Sequence, residues 1–253
     1  MAKHYAIADI HGMYNIYEQV CEMLNPDDIV YFLGDAADRG YACFKTMKAI
    51  YNNPQWIYLK GNHEDMMIKA LSQHTAEASD YYIEDNPMTL WFYNGGNITF
   101  NDWLEDGGDL KWINQLDRLS SQAEYTNEKG ITFHMSHAGF TYGQFVWGED
   151  LLWDRHHFFK KWDEEKYPND ICIHGHTPIE YLIKKLNYQY DICIPYIPGQ
   201  PEAKIYCNGH KIDIDNGVYY TGAIVLYDLD EMKAIPIYDK NFMKKKEEEE
   251  YFG

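Results

Sequence analysis

The first third of the chain alternates between short hydrophobic strand patterns and amphipathic helix patterns. The predicted strands cover 3–9, 27–33 and 55–60, and the predicted helices cover 14–24, 42–51 and 64–73. Such an alternation favours parallel strands joined by right-handed crossovers. Polar residues follow each strand, and ligands bind at the carboxyl edge of a sheet of this kind. The sequence therefore predicts an α/β fold with a functional site at that edge.

The remainder of the chain divides into a helical and a strand-rich part. Residues 74–127 are acidic, aromatic and helical in pattern, and we interpret them as a helical cap inserted between the two halves of the fold. Strand patterns return over 130–137, 169–176, 202–210, 210–217 and 222–230. We expect one catalytic domain over residues 1–240, a proline- and tyrosine-rich loop or edge element near the site over 186–202, and a charged tail over 241–253.

The charge balance excludes two classes of partner. The chain has 22 Lys and Arg against 40 Asp and Glu, a formal net charge of −18. This charge repels nucleic-acid backbones and anionic membrane surfaces, so we expect neither as a partner. The five cysteines form no CxxC pair, and the first residues resemble no export signal. These features predict reduced thiols and a cytoplasmic protein.

Five short motifs carry groups suited to divalent-metal chemistry on phosphates. They are Asp9-Ile-His11-Gly12, Asp35-Ala-Ala-Asp38-Arg39, Asn62-His63-Glu64, His137-Ala-Gly and His176-Thr-Pro. Such chemistry requires hard oxygen ligands together with imidazoles. Each motif alone is a weak signal, because a lone carboxylate and histidine in a turn are common. Their order along the chain and their shared position at strand ends make the combined signal strong.

In this order the motifs resemble the phosphoprotein phosphatase family of the metallophosphoesterases, in its bacterial and phage serine/threonine phosphatase branch. The resemblance extends from Asp9 to Gly222 and includes Ile214-Asp215-Asn216-Gly217, which is similar to the family's Ile-Asp-Thr-Gly segment. It implies a β-sandwich of two mixed sheets flanked by helices. It also implies two divalent metal ions as cofactors, with manganese expected and iron or zinc as alternatives.

The resemblance further implies six metal ligands, with Asp35 shared between two ions. The ligands of the first ion would be Asp9, His11 and Asp35. Those of the second would be Asp35, Asn62, His137 and His176. A hydroxide held between the ions would attack phosphorus directly, without a covalent phosphoenzyme.

The same resemblance implies catalytic and phosphate-binding residues. His63 would protonate the leaving alkoxide, oriented by Asp38. Arg39 and Arg155 would stabilise the charge on the phosphate oxygens, with Asn62 also in contact with the phosphate. The chain contains only three arginines, and two of them stand at these positions.

Three functions are compatible with these motifs. We expect a phosphatase acting on phosphoserine and phosphothreonine in proteins, and Pro178, which stands where the superfamily's nucleases carry a further histidine, favours monoesters. The alternative is a dinucleoside polyphosphate hydrolase, so the substrate is either a phosphoprotein or a small phosphorylated compound. A third hypothesis is a module that binds metal or phosphoprotein without turnover. It does not explain why the chain carries all the predicted ligands together with His63 and Asp38, because a binding module does not require that set.

Several residues keep more than one interpretation. Glu64 is either a partner of a metal-bound water or the acidic first turn of a helix, and Asp215 either orients a ligand or makes a turn. For His174 we favour a structural role. Four aromatic residues of the predicted cap are expected in the core, namely Trp91, Tyr93, Trp103 and Trp112.

Overall fold

The computed structural model describes residues 2–73, 86–142, 148–191, 193–197 and 199–243. The strands of this part are β1 (His4–Ile7), β2 (Ile29–Phe32), β3 (Trp56–Tyr58), β4 (Gln122–Thr126), β5 (Thr132–Ser136), β6 (Asp170–His174), β7 (Lys204–Tyr206), β8 (Lys211–Asp213), β9 (Ala223–Asp228) and β10 (Lys233–Tyr238). The α-helices are α1 (Tyr14–Met23), α2 (Cys43–Asn52), α3 (Asn62–Gln73), α4 (Pro87–Tyr93), α5 (Gly96–Glu105), α6 (Lys111–Asp117), α7 (Asp150–Trp153), α8 (Ile179–Tyr190) and α9 (Val218–Thr221).

These strands form two five-stranded sheets. The first has the order β10-β9-β1-β2-β3, and the second has the order β4-β5-β6-β8-β7. In the first sheet β1, β2 and β3 run parallel, whereas β9 runs antiparallel to β1. In the second sheet β5, β6 and β8 run parallel, with antiparallel strands at both edges. Both sheets are therefore mixed, which confirms the predicted α/β fold of two mixed sheets flanked by helices.

Alternating side chains of β1 face two different cores. Ala6 belongs to the buried cluster that also contains Phe133 and Ile173 of the second sheet. Tyr5 and Ile7 belong to the other cluster, in which the first sheet packs against the helices. This alternation follows from the two-residue period of a strand. The cluster between the sheets fixes their relative position, and so fixes the loops at their carboxyl edges.

The helices after residue 86 extend the helical layer of the first sheet. Trp91, Trp103 and Trp112 lie in the same cluster as the helices α1 to α3, as the sequence predicted. Tyr93 is 89% exposed, so the prediction that it is a core residue is wrong. The helical pattern assigned up to residue 127 is also wrong over β4, which pairs with β5 at the edge of the second sheet. An edge strand with alternating exposure carries polar residues that resemble those of a helix.

The predicted loop over 186–202 begins as helix, because α8 continues to Tyr190. The described residues after it, up to the start of β7, contain neither helix nor strand. Residues 74–85 of the predicted cap and 244–253 of the predicted tail lie outside the described part of the chain. Within the described part, no helix combines the length and the apolar character needed to cross a bilayer.

Candidate active site

The loops that follow β1 and β2 run side by side at the carboxyl edge of the first sheet. The Asp9 amide donates to the Gly34 carbonyl over 3.0 Å, and the His11 amide donates to the Asp35 carbonyl over 2.9 Å. These hydrogen bonds continue the parallel pairing of β1 and β2 beyond the strands themselves. The two carboxylate-bearing loops therefore have a fixed separation.

The backbone of the site is strained. Ten non-glycine residues of the described part have a positive φ, a region that residues with a Cβ avoid. Six of these belong to the predicted site, namely Asp9 (54°), His11 (41°), Asp35 (62°), Asp38 (69°), Arg39 (70°) and His176 (66°). Strain of this kind persists only where the surrounding structure holds it in place, and it concentrates at functional sites.

Two glycines leave room for the carboxylates. A Cβ at Gly61 would lie 2.1 Å from Oδ1 of Asp35, and a Cβ at Gly175 would lie 2.0 Å from Oδ2 of Asp9. Any larger residue would displace these side chains. The His176 amide, immediately after Gly175, donates to the same Asp9 oxygen over 2.9 Å. The close approach at Gly175 thus joins the two sheets at the site.

Asp35 belongs to two groups of metal-ligating atoms. Its carboxylate and the rings of His11 and His63 place ligand atoms within 4.8 Å of one another. The same is true of Asp35 with Asp9 and His137. A carboxylate shared by two such groups has the position needed to bridge two ions.

A third group of ligand atoms converges beside Asp35. Asn62 Oδ1 lies 2.7 Å from His137 Nε2 and 2.9 Å from His176 Nδ1, and the two ring nitrogens are 3.2 Å apart. His137 Nδ1 donates to the Leu33 carbonyl over 2.8 Å, so in the neutral ring the lone pair of Nε2 faces the other two atoms. Nitrogen and oxygen lone pairs that converge in this way fit a divalent cation.

His11 has the orientation of a metal ligand. Its Nδ1 atom lies 2.8 Å from the Ala37 carbonyl, which fixes the proton on that nitrogen. Its Nε2 atom faces Asp35 and the guanidinium of Arg39, whose Nη1 atom is 2.9 Å away. The chain's own backbone therefore selects the tautomer that ligation requires.

Buried carboxylates cluster at the site and carry a concentrated negative charge once they are ionised. Six of them are exposed by 3% or less, namely Asp9, Asp35, Asp38, Glu64, Asp213 and Asp215. Burial, Asp215 and Asp35 raise the pKa of Asp9 well above its usual range. Burial also acts to raise the pKa of Asp35, but His137 and His63 hold it well below its usual range. Divalent cations would neutralise this charge, so the residues present fit the metal ions that the family uses.

We expect added Mn²⁺ to stabilise the fold. At about 100 times the dissociation constant, binding to the folded state alone adds about 2.7 kcal/mol, which raises Tm by about 5–10 °C for a chain of this size. The shift should be larger at pH 8 than at pH 5.5, because the raised pKa of Asp9 strengthens the competition between protons and metal as the pH falls. Differential scanning fluorimetry measures this. Chelation with EDTA should reverse the shift, and an unchanged Tm at saturating Mn²⁺ would contradict the metal site.

His63 is held by a buried carboxylate. Its Nδ1 atom lies 2.6 Å from Asp38 Oδ2, and Asp38 is fully buried. Asp38 also accepts hydrogen bonds from Trp91 Nε1 over 3.0 Å and from the Thr99 hydroxyl. The His63 ring is therefore fixed with Nε2 facing Asp35, at 3.8 Å from the carboxylate.

The sequence interpretation missed Trp91 and Thr99 as partners of Asp38. It placed Trp91 in the core correctly, but a buried indole also needs an acceptor for its N–H. The need of a buried indole for an acceptor could have indicated a polar partner for Trp91. The identity of that partner could not be predicted, because Asp38 is 53 residues away in the sequence and comes into contact only in the folded chain.

The two arginines occupy different positions relative to the ligand groups. Arg39 donates from Nη1 to His11 and from Nη2 to His63 Nε2, each over 2.9 Å. Arg155 is more exposed, and its Nε donates to the Thr177 hydroxyl over 3.0 Å. Thr177 directly follows His176, so the Arg155 charge lies close to the ligand groups, and burial, His137 and then Arg155 lower the pKa of His176.

Glu64 lies in the first turn of α3 and also binds the loop that carries Asp35. Its carboxylate accepts from the Gly61 amide over 2.8 Å at the start of α3 and from the Asp35 amide over 2.9 Å. Asp215 makes a turn, since its Oδ1 atom accepts from the Gly217 amide over 2.8 Å. His174 is fully buried and pairs through Nε2 with the Tyr206 hydroxyl over 2.8 Å, as a structural residue does.

Comparisons with known proteins relate this chain to phosphoesterases. The family model of calcineurin-like phosphoesterases matches residues 3–180. Serine/threonine-protein phosphatase 2 of Escherichia coli K12 is 26% identical over 170 residues, which cover 60% of this chain and 69% of that protein.

Two further relatives match a short part of the chain and nearly all of it, respectively. The symmetrical bis(5'-nucleosyl)-tetraphosphatase of Wigglesworthia glossinidia brevipalpis is 35% identical over 65 residues, which cover 24% of each protein. A cold-active protein-tyrosine phosphatase from a Shewanella species shares the fold with a TM-score of 0.52 and 13% identity, over 94% of this chain and 78% of that one. The matched span of residues 3–180 contains the motif from Asp9 to His11 at one end and His176 at the other. The chain belongs to the calcineurin-like phosphoesterase family.

Proposed function

We propose that this phosphatase hydrolyses phosphate monoesters, with phosphoserine and phosphothreonine of proteins as its substrates. The likeness to serine/threonine-protein phosphatase 2 supports the protein substrate, because the alignment covers 69% of that relative. Two divalent ions, when bound, supply an activated water at neutral pH and a counter-charge for the phosphate oxygens. The ligands would be those that converge on Asp35, namely Asp9, His11, Asp35, Asn62, His137 and His176.

The observation that carries the proposal is the pair formed by His63 and Asp38. His63 Nδ1 donates a hydrogen bond to Asp38, so Nε2 faces the site. In the doubly protonated ring Nε2 carries the proton that it delivers to the leaving oxygen, and in that state it no longer accepts from Arg39. An alkoxide is a poor leaving group and needs that proton. Trp91 and Thr99 hold the Asp38 carboxylate in place, which keeps the ring oriented without rearrangement during reaction.

Arg39 and Arg155 bind the phosphate in this proposal, together with the Asn62 amide. Arg39 reaches the site between His11 and His63. Arg155 approaches it from the second sheet, where Thr177 holds its Nε. Guanidinium groups donate two parallel hydrogen bonds to phosphate oxygens and stabilise the charge that grows there.

A dinucleoside polyphosphate hydrolase is the second candidate. The 35% identity to a bis(5'-nucleosyl)-tetraphosphatase favours it, although over 65 residues only. A nucleobase would need an aromatic surface, and Tyr220, whose pKa is raised by burial, Asp215 and Tyr196, is a candidate for it.

The discriminating experiment measures kcat/KM of the Mn²⁺-loaded protein on a phosphothreonine peptide and on diadenosine tetraphosphate. We expect the peptide to be preferred. A preference for the dinucleotide would move the function to nucleotide hydrolysis with the same residues. Turnover of neither substrate, with both metals shown to be bound, would support a binding module and contradict the proposal.

A further inference from the structure

Lys211 is a fully buried lysine on β8 whose ammonium donates to three acceptors. It lies 2.9 Å from the Thr141 hydroxyl and 3.0 Å from the Lys160 carbonyl, and it also donates to the His157 carbonyl. In the described part of the chain it forms no ion pair with a carboxylate. Burying an ammonium is costly unless its hydrogen bonds are satisfied, so the three contacts are what retain this side chain in the interior.

The acceptors of Lys211 surround the segment that carries Arg155. A 3₁₀ turn over His156–Phe159 follows Arg155 directly, and the His157 and Lys160 carbonyls belong to this turn and to the residue after it. Lys211 holds both carbonyls from one side. Lys211 therefore attaches the turn to β8 through the His157 carbonyl and through the Lys160 carbonyl at the C-terminal end of the turn.

The other end of the turn is held by Asp154. Its carboxylate accepts from the His156 amide over 2.7 Å and from the His157 amide over 3.0 Å. Arg155 thus lies between a capping carboxylate and a turn tied to Lys211. The same ammonium reaches Thr141, four residues beyond His137 in the chain, so it joins the strand β8, the Arg155 segment and the loop after β5.

We infer that Lys211 is a positioning residue for Arg155, setting where the guanidinium meets the phosphate. The inference rests on the proposed phosphate-binding role of Arg155. Lys211 touches neither the metal-ligand groups nor the His63 and Asp38 pair in the described contacts. Its loss should therefore act on phosphate affinity and leave metal binding and proton transfer in place.

The test is the variant Lys211→Met, which keeps an unbranched side chain one atom shorter and removes the donors. We expect KM for a small phosphate monoester and the inhibition constant of orthophosphate to rise about tenfold, since displacing a binding group by about 1 Å has effects of this order or larger. We expect KM to change more than kcat, which should fall by less than about threefold, because Arg155 already binds the phosphate oxygens of the bound ester before charge grows on them. The metal content should stay the same.

A double-mutant cycle with Arg155→Ala separates positioning from general stability. If Lys211 acts through Arg155, then adding K211M to R155A should leave KM unchanged relative to R155A alone. If R155A raises KM but K211M does not, Lys211 is a structural residue only, and the inference fails while the proposed function stands. If R155A itself leaves KM unchanged, the role of Arg155 fails, and the inference fails with it.

A milder variant covers the case in which K211M does not fold. Lys211→Gln is one atom shorter and retains an N–H donor, so we expect a smaller rise in KM than for K211M. The matched control is Lys233→Met, which removes an exposed strand lysine of the other sheet and should leave KM and the orthophosphate constant unchanged. Equal KM values for K211Q, K233M and the unaltered protein, with a lower Tm in K211Q only, would overturn the inference.

Discussion

Replacing His63 with asparagine should lower kcat for an alkyl phosphate by about 10²- to 10⁴-fold, the usual contribution of a general acid. Asparagine retains a side chain that can hydrogen bond to Asp38, but it cannot deliver a proton to the leaving oxygen. Because His63 also contributes to one of the groups around Asp35, metal content must be measured by atomic spectroscopy on the same preparation. We expect that content to be unchanged.

The choice of substrate decides what the His63→Asn result means. An aryl phosphate with a good leaving group needs little protonation, so the loss should be much smaller for it than for the alkyl ester. His156→Asn is the matched control, since that histidine is exposed and follows Arg155. Equal losses on both esters, or a loss that follows metal content, would show that His63 does not act as the acid.

Replacing Asp35 with asparagine should lower kcat/KM by about 10³- to 10⁴-fold, because bound metals supply several kcal/mol of charge stabilisation and each 1.4 kcal/mol is tenfold in rate. Asp35 contributes to both groups of ligand atoms, so a single substitution weakens both. The measurement is metal content after gel filtration, together with the kinetics. We expect fewer than two ions per chain.

A buried carboxylate outside the ligand groups provides the control for Asp35→Asn. Burial and Asp215 raise the pKa of Asp213 well above its usual range, which favours the protonated form of this group. Asp213→Asn is then nearly isosteric and should leave metal content and kcat/KM close to those of the unaltered protein. Full metal retention in the Asp35 variant would contradict its role as a shared ligand.

Short-range pattern was sufficient to predict the parallel strands of the first third of the chain and the polar residues at their carboxyl ends, whereas the arrangement in two mixed sheets came from the resemblance to a family. Asp9 ends a predicted strand, Asp35 and Asn62 each follow one, and parallel strands bring their carboxyl ends to one side. The order of the motifs then related them to a family. Local spacing carries this information because a strand end fixes where the next few side chains lie.

Contacts between distant elements could not be predicted in the same way. Trp91 and Thr99 meet Asp38 only after α4 and α5 pack against the helices of the first sheet. The edge strand β4 was mistaken for helix, because its exposed residues are polar and its pairing with β5 is a tertiary property. Tyr93 has the spacing of a core aromatic, yet it lies at the end of a short helix facing solvent.

The hydrogen bond between the Asp9 carboxylate and the His176 amide has a consequence for protein synthesis. Its two residues are 167 positions apart, and β1 also needs β9, over Ala223–Asp228, as a neighbour. On the ribosome, Asp9, His11 and Asp35 emerge long before His176, whose amide binds the Asp9 carboxylate, and before the strand β9 that pairs with β1. We therefore expect nascent chains to be inactive until translation has passed Asp228, so that a new copy acquires hydrolytic activity in one late step.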